Sequence, residues 1–162
     1  MNPIQFALEI ETAISSEIAS LADIVTENLP FITLLEQFQD GFLQLLFAAE
    51  ATNIDIAHYP NVDETKLLGL DTAWQEAINP SKINTNIKVL TKLWAVYTAI
   101  DKSVQFYHQA ALNNAHPQTR IFFSSLSHVK KILQRRVNGI IQVYDNHYWG
   151  ELGFAPFMLG KN

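Results

Sequence analysis

The chain has no cysteine, which excludes disulfides, cysteine-ligated zinc, iron–sulfur clusters and thiol nucleophiles together. It has no uninterrupted apolar run near the roughly 20 residues of a membrane span, because Glu, Asp or Gln breaks every candidate. It also lacks a glycine-rich phosphate loop, a Gly-x-Ser-x-Gly elbow and a zincin histidine pair. Met1-Asn2-Pro3 opens without the basic region and apolar run of a signal peptide. The expectation is a cytoplasmic protein that does not use a membrane.

Basic residues are missing from one part of the chain. Residues 1–65 hold eleven acids and no Lys or Arg; residues 66–162 hold eleven Lys and Arg against five acids. The two parts therefore carry −11 and +6, which sum to the net −5. An acidic helical pair docked on a more basic one would account for this, as would a polarised surface for a charged partner or self-association. Lys130-Lys131 and Arg135-Arg136 form a basic strip. On an acidic chain that strip reads as a solvated or internally paired face, so no nucleic-acid partner is expected.

What is present is helical periodicity. At 162 residues with 48% hydrophobic content, the chain suits one domain, 1–162, with a core of its own. Asn2-Pro3 is a good helix start. Ile4, Leu8, Glu11, Ile14, Ile18, Leu21 and Val25 then trace one face to about Glu27. Pro30 opens a second helix with Phe31, Leu34, Phe38, Phe42, Leu45 and Ala49 inward. Residues 53–62 read as loop, and Asp63-Glu64 could open a short helix through Trp74 that ends near Asn79-Pro80. A third helix is expected from the Ser81–Asn86 region to about Asn114, striped by Leu90, Leu93, Tyr97, Ile100, Val104, Tyr107 and Ala111. Pro117 starts a fourth, with Phe122, Leu126, Val129, Leu133, Val137, Ile140 and Tyr144 in phase. The spacing predicts antiparallel hairpins over 3–52 and 85–145, a crossover over 53–84, and an aromatic, glycine-punctuated tail over 146–162. The tail is expected to leave the helix and cap one bundle end, or to swap across a dimer.

Within this pattern, Ile100–Leu133 resembles the rubrerythrin-type branch of the ferritin-like superfamily. Phe106-Tyr107, Ala110-Ala111, Pro117, Arg120, Phe122-Phe123 and Leu126 stand in the matching places, and the likeness extends over about two-thirds of the chain. The resemblance implies an all-α, ferritin-like four-helix bundle of two antiparallel hairpins with a long crossover carrying a short helix. It also implies where di-iron ligands would stand. Glu11 suits a helix ligand, but the second helix reads Phe38 and Gly41 there. The third reads Ile100, with Asp101 one residue off register. The fourth reads Lys130 and Leu133 where Glu and His would fall. A di-iron carboxylate site needs two Glu-x-x-His pairs, and the sequence contains none.

These residues support a non-catalytic binding or interaction protein with no cofactor. Its partner would be an unidentified protein, a small molecule or a second copy. The alternative is an iron- or manganese-binding oxidoreductase, or an iron-handling protein, with an atypical site on Glu11, Asp101 and His108. Asp101 and His108 lie two turns apart, about 10 Å, and would need help from another helix. Trp94, Tyr97 and Tyr107 could line a pocket or belong to ordinary core. Ser127 and His128 are neighbours on a helix and point apart, so they make no nucleophile pair.

Overall fold

A computed structural model of the chain describes residues 2–25, 29–52, 59–78 and 87–151. The described residues form helices and connections, with no strand among them. The helices are α1 (Pro3–Ile24), α2 (Pro30–Ala51), α3 (Glu64–Leu68), α4 (Asp71–Ala77), α5 (Ile87–Leu112) and α6 (Pro117–Glu151). The starts expected in Ser81–Asn86, the end at Asn79-Pro80, the loop at 53–58, Glu27 and the tail from 152 onward lie outside the described residues.

Local chemistry accounts for the ends. Asn2 caps α1 through a reciprocal box, accepting from Gln5 N–H at 2.9 Å while its own N–H reaches Gln5 Oε1. Pro30 and Pro117 each sit at a first helical position, where a missing N–H costs nothing. The turn before α6 is fixed by His116 N–H donating to Asn114 Oδ1 at 3.0 Å. Where one short helix was expected through Trp74, the structure has two. Gly69 separates them at φ 74°, ψ −174°, a region open essentially to glycine alone.

Each long helix turns one stripe into a shared core, and contacting helices run antiparallel. Along α1 and α5, Phe6 meets Phe106 while Glu17 lies near Lys92. Along α5 and α6, Ser127 Oγ donates to Val104 O and Gln134 Nε2 to Asp101 Oδ1. Along α2 and α6, Phe31 meets Tyr144 while Phe38 and Phe42 face Lys130. The α1, α5 and α6 stripes are buried largely as their spacing predicts, though Leu8, Val25 and Tyr97 are only half-buried. In α2 the buried positions are Leu35 and Leu46 instead of Leu34 and Leu45. The broad apolar face of this helix left its rotation open, and packing chose it.

The short helices lie against α2 and α6. A Cβ on Gly41 would meet Leu67 Cδ2 at 3.3 Å, so glycine here lets α3 approach α2 closely. Trp74 is buried, and its indole N–H donates to Leu68 O at 2.6 Å. Arg136 of α6 lies 5.6 Å over the Trp74 ring and 3.6 Å from Asp71.

Contrary to the expected break near residue 145, α6 continues through Tyr148, Trp149 and Gly150 to Glu151. Trp149 Nε1 donates to Asp145 Oδ1 one turn back at 3.2 Å, and Tyr148 packs edge-on against Trp149. Aromatic residues cost a helix only a few tenths of a kcal/mol, so these contacts suffice to carry it on. No described helix is long and apolar enough to cross a membrane.

A candidate functional site at the buried centre

The most unusual chemistry is a cluster of four polar side chains contributed by all four long helices. Glu11 (α1), Gln39 (α2), Tyr107 (α5) and Lys130 (α6) are each at most 3% exposed. Each occupies a core-facing helical position. Leu35, Gln39, Phe42 and Leu46 follow at steps of 4, 3 and 4, as do Leu126, Lys130, Leu133 and Val137.

Glu11 is the hub. Its Oε1 accepts from Lys130 Nζ at 2.9 Å and from Gln39 Nε2 at 3.0 Å, and its Oε2 accepts from Tyr107 OH at 2.6 Å. Gln39 Nε2 also donates to the Glu11 backbone carbonyl at 3.0 Å. Lys130 Nζ lies 4.9 Å from the Phe42 ring centre and 5.7 Å from that of Phe38. The ammonium thus has a carboxylate on one side and π-faces on another. Gln39 Oε1 is buried without a hydrogen-bond partner.

Burial dominates the electrostatics. It lowers the Lys130 pKa from its ordinary value, while the charge and hydrogen bond of Glu11 oppose it. Burial, then the Glu11 charge, then the Glu11 hydrogen bond push the Tyr107 hydroxyl well above its ordinary value.

This donor set does not fit a metal. A carboxylate ligand must turn its lone pairs to a cation, yet the three side chains around Glu11 all donate to it, and one is itself cationic. The other expected ligands are elsewhere. Asp101 is half-buried and accepts from Gln134 at 2.7 Å and Gln105 at 2.8 Å. His108 is exposed on the same helix. Among the described residues, no three His, Asp or Glu side chains come together in a way that could hold a metal ion. Trp94 is exposed and packs edge-on against Tyr97, whereas Tyr107 sits in the core, so the three do not share a pocket.

The basic strip is split by its environment. Lys130 is fully buried and Arg136 is held over α4, while Lys131 and Arg135 are exposed. Glu11–Lys130, Glu17–Lys92 and Glu64–His128 each join an acid of the first 65 residues to a basic or histidine side chain of the remainder. Internal complementarity thus takes up part of the charge asymmetry. Gln39 and the ionic role of Lys130 were missed in the sequence, though both stand in phase with apolar stripes. No family model, curated protein or solved structure matches the chain.

Proposed function

We propose that the chain is a ferritin-like four-helix bundle with a long crossover, and that it acts as a non-catalytic binding or interaction protein. In this reading its own Lys130 ammonium takes the place of a metal centre. The observation that carries the proposal is the Glu11–Lys130 contact at 2.9 Å, sealed at the meeting point of four helices. The resemblance around Phe106-Tyr107 and Phe122-Phe123 sets a ligand near Lys130, and the residue there supplies the positive charge itself. Such a centre neutralises a buried carboxylate without an exchangeable ion. It leaves no open coordination position at which oxygen or peroxide could react.

The test is elemental analysis of untagged protein purified without chelator, before and after Fe(II) addition, with iron oxidation followed optically. The expected result is sub-stoichiometric metal and oxidation no faster than buffer. Near-stoichiometric iron, manganese or zinc, abolished in Glu11→Gln, would overturn the proposal and favour a metalloprotein.

A further inference from the structure

The α1–α5 side of the molecule carries an open apolar groove of about 640 Å³. Small side chains form much of its lining, which includes Ala13, Ile10 and Ile14 of α1 and Ala95 and Ala99 of α5. Trp94 rises at its edge, 43% exposed. Its indole N–H has no hydrogen-bond partner among the described residues, whereas the other two tryptophans donate to Leu68 and Asp145. Glu17 lines the same groove. Its Oε2 is shielded from water without a hydrogen-bond partner, and Lys92 Nζ stands 4.0 Å away, beyond hydrogen-bond reach.

Charge is arranged across this face as well. Helix α1 bears exposed Glu9 and Asp23 and half-buried Glu17 with no base, whereas α5 bears exposed Lys88 and Lys102 and half-buried Lys92. Glu11 and Asp101 are turned to partners on α6. A two-fold axis running along the groove would lay acidic α1 over the basic α5 of a second copy. An axis across the groove would set α1 on α1 and repel. The face is large enough. The 22 residues of α1 span about 33 Å at roughly 1.5 Å per residue. Two adjacent helices about 10 Å apart give it a width of about 20 Å. That is about 660 Å² in projection, close to the roughly 800 Å² per partner of a standard interface.

We propose that this groove is a homodimer interface in which each copy seats its Trp94 in the groove of the other. The indole N–H of each copy donates to Glu17 of the partner subunit, after a rotation of that half-exposed carboxylate. An isologous contact of this kind closes on itself, so assembly stops at two. This inference rests on the reading of the chain as an interaction protein and names its partner as a second copy.

Sedimentation velocity and light scattering test it on the full chain. The wild type is expected near 2 × 18.3 = 36.6 kDa. Trp94→Ala, or Ala95→Arg placed on the groove floor, should weaken the dimer by about tenfold or more, as for a central tryptophan anchor. Both should keep the wild-type circular dichroism spectrum. Phe47→Ser, at an exposed site on α2, should leave the mass unchanged. A wild type of 18.3 kDa at every concentration, or a dimer unaffected by both groove variants, would overturn the inference. The metal assay reads the buried cluster, so the two ideas fail separately: a monomer without metal removes the dimer alone, and a metal-loaded dimer removes the scaffold reading alone.

Discussion

Replacing Lys130 by Met tests the central cluster most directly. Methionine matches the lysine stem in length and flexibility, so the change deletes a charge with little loss of packing. It leaves Glu11, fully buried, with Gln39 and Tyr107 as hydrogen-bond donors and no countercharge. Breaking a buried pair on one side costs about 3–5 kcal/mol. At about 2–4 °C per kcal/mol for a chain of this size, Tm should fall by roughly 6–20 °C. Glu11→Leu should cost a comparable amount by stranding the ammonium. The double variant should lose much less than the sum, because no buried charge remains. Its residual cost, about 1–3 kcal/mol, comes from the orphaned Tyr107 hydroxyl; Gln39 keeps the Glu11 carbonyl as an acceptor. Urea unfolding followed by circular dichroism, with m held common across the four proteins, gives the coupling energy. A Lys130→Met variant within about 1 kcal/mol of wild type, or strictly additive single changes, would refute the buried ion pair.

Further expectations concern pH, backbone and surface. Because the Tyr107 pKa lies well above 10.0 in the folded chain, the unfolded chain releases that proton first. Its contribution is whole below pH 10.0 and is lost as pH rises further; urea titrations should show a shallower alkaline decline in Tyr107→Phe. The Lys130 pKa is lowered from 10.5, so between its folded value and 10.5 the unfolded chain binds more protons and stability rises with pH. Lys130→Met should remove that rise, and an unchanged slope would contradict the burial of the amine. Gly69→Ala, at φ 74°, should cost about 1–3 kcal/mol through backbone strain alone, read as a lower urea midpoint at unchanged m. Glu64→Gln breaks a pair with His128 that is about half exposed on both sides, and thermal melts should place it within about 0.5 kcal/mol of wild type.

Helix ends and faces were legible wherever the signal is local. Asn2-Pro3, Pro30 and Pro117 mark starts through the chemistry of the first turn. In α6 the step from Phe122 to Tyr144 keeps one phase throughout, and all seven positions of that stripe are buried. Legibility failed where two local answers were nearly equal. The α2 face was wide enough to turn on either Leu34 or Leu35. Gly69 was passed over because its neighbours favour helix. The aromatic run at Tyr148-Trp149 was read as a break, although neither residue opposes a helix strongly.

The sequence by itself determined that the chain is helical, where its long helices begin, and that Glu11 interrupts the apolar stripe of α1. Periodicity states which side of a helix a residue occupies, since side chains three and four apart share a face. It does not state which residue of another helix stands opposite, because that follows from how the helices cross and at what height. Only the tertiary structure could therefore bring Lys130 to Glu11 across 119 residues of chain and Tyr107 to the same carboxylate across 96. The same packing left Asp101 and His108, seven residues apart on a single helix, outside that cluster.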